Sequence, residues 1–197
     1  MLQPRAVIFD LDGTLTRPLL DFDLIRAEIG LAPGPILEQL IGLGDDQRAR
    51  AEAILRRHEI TAMEEAVLAD GCVELLGLLR ERGIPHGILT RNMRVAVEHF
   101  CRRFGFRFEG TYTREDGPPK PSPAGVLHLC ARFGVPPAEA ITVGDFKFDV
   151  LAGRAAGTCT ALVVSEPPDD LQAWGAPDLV VGSLRELLRL WPSPGPP

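Results

Sequence analysis

Short, wholly apolar runs alternate with helically spaced apolar positions over most of the chain. Ala6-Val7-Ile8-Phe9 opens the pattern and reads as a buried strand, within a first strand over 5–10. From Thr16 to about Asp70 strand signals vanish. Asp21 to Ile29 predicts a short helix stopped by Gly30 and the Pro33-Gly34-Pro35 turn, and Ile36 to Leu43 a second, ended by Gly44. Asp45 or Asp46 is expected to cap a longer helix running towards Ala69, with an interruption near Ile60-Thr61.

From Asp70 the pattern switches to strand–helix alternation. Asp70 is expected to cap a helix that ends at Gly83. Strands are predicted at Pro85–Leu89, Phe108–Tyr112, Ala140–Val143, Cys159–Val164 and Leu179–Val181. Helices are predicted through Val95 to Phe104, through Val126 to Leu129 with Ser122 as cap, from Phe148 to Ala156, and from Leu184 to Leu190. Such alternation implies an α/β fold: a doubly wound, Rossmann-like, mostly parallel sheet, with a small all-helical insertion after the first strand. The expected core is 1–16 with 70–191, the helical block is 17–69, and 192–197 is a proline-rich tail expected to be disordered.

Composition changes this picture little. The chain of 197 residues, 45% apolar and 24% charged, has the profile of a soluble globular protein. A net charge of -6 argues against a nucleic-acid partner. No apolar run approaches the roughly 18–20 residues that span a bilayer, so no membrane partner is expected. The first strand begins almost at once, so no signal peptide is expected. Cys72, Cys101, Cys130 and Cys159 form no CxxC pair and read as buried free thiols. The expected location is a reducing cytoplasm.

Ligands of parallel sheets sit outside the carboxyl ends of the strands. The first strand offers Asp10 and Asp12 there, the second Thr90, and the fourth Asp145, with Asp149 four residues on. Lys120 lies on the stiff loop Gly117–Pro123. Taken singly, each has a plainer reading: Thr90 as a helix cap, Lys120 as a solvated lysine, Asp145 and Asp149 as first-turn acids favoured by the helix dipole. Together, at one sheet edge, they match the needs of phosphoryl transfer. An ionised Asp is a nucleophile, a hard cation such as Mg²⁺ offsets charge, and an ammonium and a hydroxyl hold the phosphoryl oxygens.

FDLDGTLT, ILTRN, KPSP and GDFKFD also resemble, in order, the four motifs of the haloacid dehalogenase superfamily, in its phosphatase branch. The resemblance runs from Arg5 to about Leu190. It implies Asp10 as nucleophile and Asp12 as general acid/base. It implies Mg²⁺ held by the Asp10 carboxylate, the Asp12 backbone carbonyl and the Asp145 carboxylate. Thr90, Arg91 and Lys120 would bind the phosphoryl group, with backbone amides of Leu11 and Arg91 as further donors, and Asp149 would support Lys120 or a metal-bound water. The block 17–69 would be a helical cap, and the first strand would lie between the second and fourth.

Within that superfamily, an acid at Asp12 favours phosphate esters over dehalogenation. The absence of lysine from 17–69 argues against phosphonate cleavage. The expected function is Mg²⁺-dependent hydrolysis of a small phosphorylated metabolite, phosphoglycolate phosphatase-like. A sugar phosphomutase and a non-catalytic binding protein on the same fold are the alternatives. Monomer and homodimer both remain open.

Overall fold

The structure is a computed structural model that describes residues 3–191, so the expected tail at 192–197 lies outside the described residues. Six strands among these residues form one sheet: β1 (Ala6–Phe9), β2 (His86–Leu89), β3 (Gly110–Tyr112), β4 (Ala140–Gly144), β5 (Cys159–Val163) and β6 (Leu179–Val181). All pairings are parallel, in the order β3-β2-β1-β4-β5-β6. β1 therefore lies between β2 and β4, with Phe9 level with both Ile88 and Val143.

The strands carry apolar runs because the sheet is covered on both faces. Every residue of β1 is fully buried. Ala6 and Ile8 join a core with Leu89, Val126, Leu129 and Ala152, while Val7 and Phe9 alternate to the opposite face. Around the sheet lie α4 (Cys72–Glu81), α5 (Arg94–Phe104), α6 (Ala124–Phe133), α7 (Lys147–Ala156) and α8 (Leu184–Leu187). No helix among the described residues is long and apolar enough to cross a membrane.

Residues Leu19–Ala66 form a separate compact unit of three helices: α1 (Phe22–Ile29), α2 (Ile36–Ile41) and α3 (Asp45–Glu65). Its own small core holds Ile25, Ile36, Leu40, Ala51 and Leu55. Glu28 of α1 accepts hydrogen bonds from Arg57 and from His58 Nε2 (2.8 Å) of α3. Asp21 caps α1, accepting from the Leu24 amide at 2.9 Å.

Several boundaries differ from the sequence reading. The helix α3 is not interrupted at Ile60-Thr61, since the Thr61 hydroxyl donates to the Arg57 carbonyl (3.1 Å) inside the helix. Its N-cap is Gly44, which places Asp45 and Asp46 in the first turn, where the dipole favours them. Asp70 is no cap either: Gly71 holds that position, and Asp70 instead takes Arg185 Nη2 at 3.0 Å. Ser122 accepts from the Ala124 amide at 3.3 Å, but Pro123 is the α6 N-cap. The closing helix spans only Leu184–Leu187, then tightens to a 3-10 turn at Leu188–Leu190. All four cysteines are free, but only Cys72 and Cys130 are buried, with Cys101 and Cys159 half-buried. Burial pushes the Cys72 thiol up to about 12, which keeps it protonated and unreactive.

Because Ile8 is fully buried in the central strand, Ile8→Ala should lower unfolding free energy by about 2–5 kcal/mol. A urea titration checks this; a loss under ~1 kcal/mol would mean that the sheet centre relaxes to fill the cavity.

Candidate active site

Parallel strands deliver their carboxyl ends to one edge, and the register decides which residues meet there. β1 ends at Phe9, and the Asp10 amide donates to the Val143 carbonyl (2.8 Å). Asp10 is thereby held beside β4, whose end is followed directly by Asp145. The chain then coils over Leu11–Leu15 into a wide turn, closed by the Thr16 amide on the Leu11 carbonyl (3.1 Å). Gly13 makes that turn at φ 84°, and a Cβ there would stand 2.1 Å from Asp145 Oδ2. Gly144 is equally constrained, since its Cβ would stand 2.0 Å from Asp149 Cγ.

Lys120 is the centre of the constellation. It is 3% exposed, which overturns the solvated reading. Its Nζ lies 2.7 Å from Asp10 Oδ1 and 2.5 Å from Asp149 Oδ1. Asp149 Oδ2 also accepts from the Phe146 amide at 3.1 Å, tying the first turn of α7 to the site. Oxygens of Asp10, Asp145 and Asp149 lie within 4.8 Å of one another. Asp145 Oδ1 has the Thr14 hydroxyl at 3.5 Å.

Three carboxylates around one ammonium leave surplus negative charge in a buried place. Burial opposes the charge of Lys120, but the Asp10 and Asp149 carboxylates outweigh it and hold the ammonium above its usual range. Burial pushes the Asp145 carboxyl up to about 8, helped by Asp10 and Asp149 and opposed by Lys120. Burial also raises Asp149, to about 6, with Lys120 pulling against it and Asp10 adding to it. The donor set is hard oxygen and its charge is undercompensated, which fits a hard divalent cation.

Asp12 is oriented differently. Its Oδ2 accepts from Asn92 Nδ2 at 3.0 Å, and its carboxylate is not among the three clustered ones. That leaves its expected metal contact to the backbone carbonyl. Thr90 is 2% exposed, and its hydroxyl accepts from the Asn92 amide at 3.0 Å, so it stabilises the turn that presents Asn92. The Arg91 guanidinium donates to the Lys120 carbonyl and lies 4.8 Å over the Phe148 ring. Asn92 was missed by the sequence reading. Its only signal is an amide two residues past Thr90, and nothing in the spacing pairs it with an acid 80 residues away.

Residues 22–157 match the haloacid dehalogenase-like hydrolase family. The match starts after the first motif, so it does not reach Asp10 and Asp12. A haloacid dehalogenase-like hydrolase domain-containing protein of Arabidopsis thaliana is 34% identical, over 94% of this chain and 83% of that protein. A phosphoglycolate phosphatase of Chromobacterium violaceum is 30% identical, over 94% and 96%. The crystal structure of a hydrolase from Pseudomonas syringae superposes with TM-score 0.80 at 20% identity, covering 93% of this chain and 96% of that one. The chain belongs to the haloacid dehalogenase-like hydrolase family.

Two outcomes follow from this geometry. A carboxyl raised above its unfolded value of 3.8 stabilises the fold while protonated. That contribution is complete below the unfolded value and is lost as pH rises, through about 6 for Asp149 and about 8 for Asp145. A divalent cation competes with those protons, so added Mg²⁺ should raise Tm more near pH ~8 than near pH ~5. An equal gain at both, by thermal shift, would remove the buried carboxylates from the metal site. Separately, Asn92→Ala should lower kcat about 10- to 100-fold with KM little changed, because Asp12 loses its orienting bond. A change confined to KM in steady-state kinetics would place Asn92 in substrate binding instead.

Proposed function

We propose that this chain hydrolyses small phosphate monoesters, in a Mg²⁺-dependent reaction, through an aspartyl-phosphate on Asp10. The observation that carries the reading is the Lys120 ammonium bridging Asp10 (2.7 Å) and Asp149 (2.5 Å) beside Asp145. Lys120 holds Asp10 through Oδ1. Attack by the Asp10 carboxylate forms an O–P bond as the P–O bond to the alcohol breaks. Asp12, oriented by Asn92, gives its proton to the departing oxygen. Water then attacks the phosphoryl-enzyme, Asp12 takes back a proton, and inorganic phosphate leaves with Asp10 regenerated.

Asp10, Asp145 and the Asp12 carbonyl would hold the cation, and Asp149 anchors Lys120. When bound, Mg²⁺ supplies charge neutralisation between the Asp10 carboxylate and the phosphoryl oxygens. Thr90, Lys120 and the backbone donors of Leu11 and Arg91 hold the phosphoryl group. Phosphoglycolate is the first substrate to test, supported by the similarity to a phosphoglycolate phosphatase. The partner in this reading is a small phosphorylated metabolite.

The test is phosphate release from a panel of monoesters with and without Mg²⁺. Release should require Mg²⁺ and fall at least ~10³-fold in Asp10→Asn, whose amide is a poor nucleophile. Appreciable release by Asp10→Asn would sink the phosphoryl-enzyme. Isomerisation of a sugar phosphate without phosphate release would point to a mutase.

A further inference from the structure

The loop that follows Asp145 carries side chains that the chemistry above does not use. Phe146 sits at the N-cap of α7, where a hydrogen-bonding side chain is favoured. Its ring cannot cap; Asp149 does that work from the first turn. The ring is instead 41% exposed. It packs edge-on against Phe148 (centroids 5.1 Å, 79°) and against Trp174 (5.1 Å, 69°). Lys147 Nζ lies 5.7 Å from the Phe146 centroid and 5.8 Å from that of Phe148. Three aromatic rings and two cations thus share one place on the α/β unit.

This cluster is coupled to the reaction centre on two sides. Phe146 is the residue next to Asp145, and its amide is bonded to Asp149. Phe148 carries the Arg91 guanidinium on its face, and Arg91 donates to the carbonyl of Lys120, whose ammonium holds Asp10. The rings therefore flank the groups that would grip the phosphoryl end of a substrate. On the reading above, the alcohol end of a substrate would lie beside them. An aromatic face flanked by ammonium and guanidinium groups attracts a ring, by stacking or by CH contact, on a molecule of net negative charge.

We propose that Phe146, backed by Phe148 and Trp174 and flanked by Lys147 and Arg91, is a leaving-group platform that selects phosphate esters of ring-bearing alcohols over short acyclic ones. This rests on the reading of the site as a monoester phosphatase and ranks phosphoglycolate, a short acyclic ester, below ring-bearing ones. Ring stacking against one exposed phenylalanine accounts for about a tenfold preference.

The test separates binding from turnover. Phenyl phosphate, glucose 6-phosphate and phosphoglycolate are titrated calorimetrically, with Mg²⁺, into Asp10→Asn and into Asp10→Asn carrying Phe146→Ala or Phe146→Tyr. The Kd of a ring ester relative to that of phosphoglycolate should rise about tenfold with Phe146→Ala and return with Phe146→Tyr. A rise for phenyl phosphate alone assigns the platform to planar aromatic rings, and a rise for glucose 6-phosphate alone to sugars. No change in the ratio, equal weakening of all three, or no binding of any ring ester overturns the platform. Turnover of the same esters by the unsubstituted protein is measured alongside. Its absence would overturn the phosphatase reading, while the titrations still decide the platform.

Discussion

The buried ammonium of Lys120 is the interaction on which the site depends. Asp10, Asp145 and Asp149 converge where water is largely excluded, and burial, with repulsion from neighbouring carboxylates, raises Asp145 and Asp149. One lysine, 3% exposed, keeps the cluster partly compensated and fixes Asp10 in place. The remaining imbalance is what makes the site receptive to a cation. The same surplus that costs folding free energy is useful for binding charge, a common bargain at sites that handle phosphate.

The sheet exists in the form that this convergence needs. With β1 between β2 and β4, the ends of three adjacent parallel strands lie side by side. Residues far apart in sequence, Asp10, Thr90 and Asp145, are thereby brought to one edge without any long-range element of their own. The two glycines Gly13 and Gly144 remove the Cβ atoms that would collide with Asp145 and Asp149. Packing density at the site is thus set by what is missing from the side chains as much as by what is present.

The helical unit is a different kind of object. Its core of five buried apolar residues is small, and its α1–α3 pairing relies also on Glu28 meeting Arg57 and His58 at the surface. Exposed ion pairs of this kind stabilise little. By contrast, the central strand of the sheet is entirely buried.

The sequence by itself determined most of the architecture and which carboxylates stand at the strand ends. Runs such as Ala6–Phe9, alternating with helical segments, suit a covered parallel sheet. Parallel strands bring their carboxyl ends to one edge, and the strand order sets Asp10 beside Asp145. It did not determine the details that depend on which distant group arrives. Asp70 is a good cap by type, yet Arg185, 115 residues away, claims its carboxylate. Lys120 is a surface lysine by type, and only the folding of its loop onto Asp10 and Asp149 buries it. Asn92 gains its partner Asp12 across β1 and β2, and Phe148 gains Arg91 across the site edge. Local periodicity reads the backbone because neighbours in sequence decide it; the partner of a polar side chain is decided by the fold, which no local window contains.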